Sequence, residues 1–337
     1  METIQTTTRI LQADYGDCIF FSLTNGTKEY NILVDGGTDH TYYDFRNRRN
    51  PVGPLKELID GLIAEERHID LLVLTHVDDD HLLGIKAWFE DCFPSQNLVE
   101  NFWINDDISI KNIESLNNDT SKASSLIQLL RKNAYKYENH IVQGRQFIVD
   151  DLCVIKVLAP SVIKHNAISE KIAKSLNNNA ILPEEYKMPI KILINKPWEN
   201  GSLSIENNSS IAIEIETIDH ERYLLLGDAS VKDIMKGIEL FHKEDSLPIC
   251  YKWIKLSHHG SKNNFIPSLL HMVCTETFIV STNGKYYNHP DKDVIAYLIG
   301  KTKSNIFFNY PERCDLLFTK QDYIDYPDLN KRIVCEL

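Results

Sequence analysis

The sequence predicts a layered α/β protein with an inserted, mainly helical region. Three observations carry that expectation. Short β-rich runs fill the first 35 residues between turn-forming pairs, apolar strand-like runs later alternate with segments of helical period, and apolar density falls between about 92 and 200 as Asn and Lys rise. A chain of 337 residues is long for one domain and short for two large ones. The expected organisation is a first half over 1–91, an insertion or cap over 92–204 and a second half over 205–337. A hydrophobic content of 43% and a charged content of 25% suffice for a sizeable core.

The elements follow in order. "TTTRILQA", "CIFFSLT" and "EYNILVDGG" read as strands separated by Gly16-Asp17, Asn25-Gly26 and Gly36-Gly37. "PLKELIDGLIAEER", from Pro54, has helical spacing, and "HIDLLVLTH" reads as a strand buried on both faces. "LLGIKAWFEDCF" is helical again, so the acidic cluster ahead of it sits on a strand-to-helix turn. Within the insertion, helices are expected at roughly 119–136 and 166–177 around a strand pair at 141–158. "SSIAIEIETIDHERYLLLGDAS" reads as a hairpin turning at Asp219-His220, followed by a helix over about 231–242. Strand "YKWIKL", another helix, strand "TFIVSTNG" and the helix of "DVIAYLIG" come next, then a last strand with a short irregular tail.

Composition excludes several classes. A formal charge of −12 leaves no global basic footprint for nucleic acid or anionic membrane, although bound divalent ions can invert a local field. The seven cysteines are scattered and never at CxxC spacing, which argues against a disulfide framework or zinc knuckle and for a reducing compartment. The N-terminus lacks the basic start and apolar run of a signal peptide, and no stretch reaches the roughly 20 apolar residues of a membrane span. A soluble cytoplasmic protein is expected.

The chemistry concentrates in "LLVLTHVDDDHLLG", residues 71–84, which sets two histidines and three aspartates in six positions behind an apolar run. Adjacent carboxylates repel, so the cluster wants a cation. Three other loops share the format of a strand ending at once in ligand residue types: Asp35-Gly36-Gly37, Asp228 and His258-His259, with His289 a fifth case. Sites gather at such strand ends. Imidazole with carboxylate suits zinc, manganese or iron. His76-x-Asp78-x-Asp80-His81 places 76 and 78 on one side of an extended turn, with Asp80 and His81 pointing elsewhere, so one segment can feed two metals and Asp228 could bridge them. Taken singly, Asp228 could instead be a helix N-cap and His258-His259 a plain loop.

"THVDDDHLLG" resembles the H-x-[HDE]-x-D-H motif of the metallo-β-lactamase fold. "LLLGDAS" resembles that superfamily's aspartate motif, and "KLSHHGSKNN" followed by "TNGKYYNHPD" looks like its ComEC-type branch, whose catalytic domain resembles the hydrolase part of a DNA-uptake channel protein. "ADYGDCIFF" is similar to the strand opening such domains. The resemblance covers about 8–91 and 205–310 and implies a four-layered αβ/βα sandwich. It implies His76 and Asp78 as ligands of a first metal, Asp80 and His81 of a second, and Asp228 as bridge. His258 or His259 would complete the second site. Asp35 would brace a ligand histidine, His289 would contact phosphate or act as general acid, and Ser261 and Lys262 would contact phosphate. Asp80, Asp228 and His289 form the expected catalytic set.

Two departures matter. Asp78 replaces the histidine usual in lactamases, which makes manganese as credible as zinc. A further ligand usual before the hairpin is missing where this chain reads "IENNSS"; Asn207 or Asn208 could serve weakly, or a single metal could bind. The implied activity is metal-dependent phosphodiester hydrolysis, by a metal-activated hydroxide, of nucleic acid, a nucleotide or a small phosphodiester, with a possible protein partner. The alternatives are a hydrolase of a small ester, lactone or phosphorylcholine ester, and a non-catalytic metal-stabilised subunit of a bacterial, possibly defence, complex. Asp79 reads as a bystander, and His40, His68, His220, His242 and His271 as surface or packing residues.

Overall fold

Two mixed β-sheets, of five and eight strands, organise the chain in a computed structural model that describes residues 3–47, 49, 51–105, 118–167, 183–199 and 205–335. The first sheet runs in chain order through β1 (Gln5–Ile10), β2 (Ile19–Thr24), β3 (Glu29–Val34), β4 (Ile69–Leu74) and β5 (Val99–Ile104). β1 to β3 pair antiparallel and β3 to β5 parallel. The second sheet runs through β6 (Gln146–Val149), β7 (Cys153–Ala159), β8 (Ala212–Thr217), β9 (Arg222–Leu225), β10 (Ile249–Lys255), β11 (Val273–Val280), β12 (Asn305–Phe308) and β13 (Ile333–Val334). Its β6 to β9 portion is antiparallel and its β9 to β13 portion parallel.

Three separate cores define four layers. Strand alternation sends Phe20, Leu33 and Leu72 to one face of the first sheet, where they meet α1 (Pro54–Ala64), α2 (Asp79–Asp91) and α3 (Asn118–Lys132). Phe21, Ile32 and Val73 point the other way and pack against Ile213, Leu225 and Trp253 of the second sheet. Leu224, Ile254 and Phe278 leave the second sheet's outer face and bury α4 (Val231–Phe241) and α5 (Lys292–Lys301). The order is helix, sheet, sheet, helix, the expected αβ/βα sandwich. β4 is buried at all six positions, because helices cover one face and the second sheet the other.

The structure departs from the sequence reading at several points. Residues 92–204, expected as an insertion or cap, supply β5, β6 and β7 and thereby complete both sheets. The helix expected at 166–177 falls mostly outside the described residues; a short helix, Val162–Ala167, precedes it. The helix expected between β10 and β11 is a pair of 3-10 turns, Lys262–Asn264 and Pro267–His271. The C-terminal tail is three short helices and β13 rather than irregular chain. Cys250 and Cys274, expected to be reduced, form a disulfide because the parallel register of β10 and β11 sets them opposite each other with Cα atoms 4.6 Å apart. That bond removes the cysteine argument for a reducing compartment. Among the described residues, no helix is long and apolar enough to cross a membrane.

Candidate metal centre

The parallel strands β3, β4, β9, β10 and β11 end at the same rim, and the loops leaving them carry the expected site residues. After β3, Asp35 takes a left-handed conformation (φ 60°), which an aspartate tolerates, and turns its carboxylate back toward β4. It accepts hydrogen bonds from the Thr75 amide (2.7 Å) and hydroxyl (2.8 Å) and lies 2.8 Å from His81 Nδ1. After β4, Asp78 holds the N-cap position of α2, yet its carboxylate makes no capping bond and faces His76 instead. Asp228 follows β9; Ser230, not Asp228, is the N-cap of α4, which rules out the plain capping role. His258 and His259 follow β10 with two successive left-handed backbones (φ 47° and 55°), each such residue storing roughly 1–3 kcal/mol of strain that the surroundings must hold.

Four imidazoles converge on Asp228. On one side, His76 Nε2 lies 3.4 Å from Asp78 Oδ2 and 3.8 Å from Asp228 Oδ2, and His258 Nε2 lies 3.5 Å from that same Asp228 oxygen. On the other, His81 Nε2 is 3.5 Å from Asp228 Oδ1 and 3.9 Å from Asp80 Oδ2, and His259 Nε2 is 3.5 Å from Asp80 Oδ2. The paired histidines thus go to different halves, His258 beside Asp228 and His259 beside Asp80.

Every ring uses its Nδ1 elsewhere. His76 Nδ1 meets the Thr75 hydroxyl (3.0 Å), His81 Nδ1 meets Asp35, His258 Nδ1 meets Asn264 Oδ1 (2.9 Å), and His259 Nδ1–H donates to the Ser281 carbonyl (2.8 Å). The second nitrogens of His76, His81 and His259 and the Oδ1 of Asp228 are buried and have no hydrogen-bond partner among the described residues. Buried polar atoms are almost always satisfied, so four orphans facing one point mark a place for a ligand. Imidazole Nε2 and carboxylate oxygen with a braced Nδ1 is the donor set of a divalent transition metal, and these residues fit one.

The electrostatics agree. Burial disfavours the charged forms, yet Asp78 and Asp228 raise the His76 pKa, and Asp35, Asp228 and Asp80 raise that of His81 well above its ordinary value. His259 is pushed up to about 9, against burial, chiefly by Asp17 and Asp80. Burial likewise opposes ionisation of Asp228, but His258, His81 and His259 hold its carboxyl well below the usual range. The carboxylates demand positive charge where the orphaned nitrogens meet, and protons are one way to supply it.

Around this cluster the remaining expected residues separate. His289 is half-buried, with its ring centroid 5.0 Å from that of His258, and desolvation together with His258 and His259 drives its pKa well below the ordinary value. Ser261 is buried and its hydroxyl caps the next turn, while Lys262 is exposed with its amide on Asp291. Asn207 Nδ2 lies 3.1 Å from His258 Nδ1, where it braces the ring. Asp79 pairs with Lys122, as a bystander would.

Sequence reasoning missed four contributors. Asp17 is buried, ion-paired with buried Lys255 and 3.4 Å from His259 Nδ1, and brings a carboxylate oxygen within 4.8 Å of ligand atoms of His81, Asp228 and His259. Gly16 lets that loop approach, since a Cβ there would strike the Asp80 carbonyl at 1.8 Å. Arg313 and Tyr186 clamp the His289 loop: Arg313 Nε donates to the His289 carbonyl (2.9 Å) and Tyr186 OH to the Pro290 carbonyl (2.8 Å). The only sequence signal was the Gly16-Asp17 pair inside "ADYGDC", and Tyr186 and Arg313 had none.

No protein-family model and no curated protein matches the chain. Solved structures similar to it include a possible metal-dependent hydrolase from Veillonella parvula (12% identity, covering 99% of this chain and 97% of that one, TM-score 0.41). The metallo-β-lactamase-fold protein YhfI from Bacillus subtilis is 10% identical over 90% of this chain and 95% of its own, at a TM-score of 0.42. An isothiocyanate hydrolase from Delia radicum gut bacteria is 14% identical over 99% and 96%, at 0.41. All are distant, and the four-layer architecture stands on the sheets and cores described above.

Proposed function

We propose that this chain is a metal-dependent hydrolase that cleaves phosphodiesters. One observation carries the reading: the Nε2 atoms of His76 and His258 lie against one oxygen of buried Asp228 and that of His81 against the other, while His259 Nε2 meets Asp80 beside them, and those of His76, His81 and His259 have no hydrogen-bond partner among the described residues. We assign His76, Asp78 and His258 to one cation and Asp80, His81 and His259 to a second, with Asp228 shared between them. On this assignment His258 fills the gap left by "IENNSS". Zinc or manganese bound there would polarise the scissile group and acidify a water.

The chain's own residues do the rest. Asp35 and the Ser281 carbonyl fix the tautomers of His81 and His259, so their Nε2 lone pairs face the cluster. Asp17, neutralised by Lys255, holds His259 from behind. His289 is neutral near pH 7, so it offers an N–H to a phosphoryl or leaving oxygen rather than an imidazolium proton. The preference for phosphodiesters comes from the resemblance of the four motifs. The charge of −12 favours a small substrate over a long polyanion, and keeps hydrolysis of a small ester as the second reading.

The deciding experiment is metal analysis of the purified protein, followed by Mn²⁺- and Zn²⁺-dependent assays on bis(p-nitrophenyl) phosphate, single-stranded DNA and RNA. Turnover of the first is expected. No turnover on all three, with metal bound, would move the assignment to the small-ester reading or to a non-catalytic subunit.

A further inference from the structure

Beside the metal cluster stand three tyrosines that none of the three hydrophobic cores includes. Tyr15 comes from the β1–β2 loop, two residues before Asp17; Tyr286 and Tyr287 come from the loop after β11, just before His289. Tyr15 stacks on Tyr286 with centroids 5.0 Å apart and planes at 21°. Tyr287 meets Tyr286 edge-on at 4.6 Å and Tyr15 at 6.0 Å. On the cluster side, Tyr287 lies nearly parallel to the His289 ring (6.0 Å, 23°) and 6.5 Å from the ring of His258. Tyr287 is 46% exposed.

Aromatic area kept for stability is ordinarily buried in a core. Here two loops that carry site residues hold it at the surface, in contact with the histidines of the cluster. The ring faces of such an aromatic wall offer little to a phosphate, which wants cations or N–H and O–H donors, and offer a good surface to a flat π-system. We propose that the Tyr15–Tyr286–Tyr287 wall is a subsite that stacks a planar ring carried by the group attached to the phosphate, so that the preferred substrates are nucleotide-like or aryl phosphodiesters rather than alkyl ones. This rests on the phosphodiester reading of the cluster. It also reconciles an acidic chain with a nucleotide-type ligand: affinity comes from ring faces and bound cations, with no basic surface needed.

The test reads binding, so it is separable from the reaction. Metal-loaded full-length protein is titrated calorimetrically with AMP, ribose 5-phosphate, p-nitrophenyl phosphate and phosphocholine. AMP is expected to bind about tenfold more tightly than ribose 5-phosphate, the gain of one stacked base. The p-nitrophenyl arm tells a preference for nucleobases from one for any aryl ring. Tyr287→Leu and Tyr15→Leu are expected to bring the AMP to ribose 5-phosphate ratio toward one, and Tyr287→Phe to keep it. Equal affinities in the wild type, a ratio unmoved in both leucine variants, or phosphocholine binding more tightly than AMP would overturn the proposal. If the leucine variants fail to fold, the wild-type ratio and Tyr287→Phe decide. Absence of turnover on bis(p-nitrophenyl) phosphate counts against the reaction alone and leaves this binding result standing.

Discussion

Two buried clusters of histidine and carboxylate flank the second sheet, and they differ in one respect. Under the C-terminal end of α4, Glu214 is fully buried and accepts hydrogen bonds from Lys156 Nζ (2.9 Å), His242 Nε2 (2.9 Å) and Tyr251 OH (2.7 Å). His242 Nδ1 meets Asp245 at 2.6 Å, so both of its nitrogens are taken. Around Asp228 the burial is equal and the charge denser, yet three imidazoles each keep one nitrogen with no hydrogen-bond partner among the described residues. Buried charge alone therefore does not mark a site. The Glu214 network is complete within the chain, whereas the Asp228 cluster needs something from outside it.

Substitutions should treat the two clusters differently, and the largest effect belongs to Asp228. Asp228→Ala removes the oxygens that both halves share. Turnover of bis(p-nitrophenyl) phosphate is expected to fall on the order of 1,000-fold, with loss of bound metal by elemental analysis. Wild-type protein should also gain thermal stability on metal addition, by about 2.7 kcal/mol at 100 times the Kd, a gain the variant loses. Full activity and metal content in Asp228→Ala would erase the contrast between the clusters.

Glu214→Gln should do the reverse, costing about 3 kcal/mol of stability and leaving metal content intact. Its pH dependence has a definite sign. Burial opposes ionisation of Glu214, but hydrogen bonds from His242 and Lys156 lower its pKa from 4.5 to about 2. A depressed carboxyl contributes stability that is present above 4.5 and lost as pH falls toward about 2. His242 is raised above 6.5 by Glu214 and Asp245 against burial, so its share is present below 6.5 and lost as pH rises through the raised value. Denaturant titrations should show the gap between wild type and Glu214→Gln widest between about 4.5 and 6.5. A gap that keeps widening as pH falls below 4.5 would contradict the assignment.

Between these extremes lies Asp35, which is satisfied itself and acts on a group that is not. Asp35→Asn keeps the bulk but removes the charge behind His81 Nδ1. Metal affinity measured by chelator competition is expected to weaken by about 10- to 100-fold. An unchanged affinity would make Asp35 a turn residue serving the Thr75 amide alone.

The sequence made one of the two clusters legible and hid the other. Residues 76–81 announce a cation because three carboxylates cannot sit together without one, and an apolar run fixes where they sit. The strand ends at Asp35, Asp228 and His258-His259 were readable for the same reason. Which histidine of the pair belongs to which half was not, since two consecutive positive φ angles set it and composition does not encode them. Asp17 was hidden because its partner Lys255 is 238 positions away. The strands within 92–204 were partly read, but their membership of the two sheets depends on long-range pairing. Cys250 and Cys274 meet only through the register of two parallel strands. Local pattern carried the elements; pairing at a distance carried what was missed.

Arg313 supplies the finest probe of the comparison, because it is a satisfied buried charge that touches the unsatisfied cluster's neighbour. Its guanidinium donates through Nε to the His289 carbonyl (2.9 Å) and through Nη2 to the Asn288 carbonyl (2.5 Å), and it also pairs with Tyr186 OH. A lysine there keeps the charge but loses the planar fork that holds both carbonyls in one fixed geometry. Arg313→Lys is expected to lower turnover roughly tenfold through misplacement of His289. Metal content should stay at the wild-type level, because no cluster residue contacts the clamp directly. Partial recovery of Arg313→Ala by added guanidinium would show that the fork acts by holding the loop. Loss of metal in Arg313→Lys would instead join the clamp to the Asp228 cluster, and the division between a self-sufficient network and an open one would have to be drawn further out.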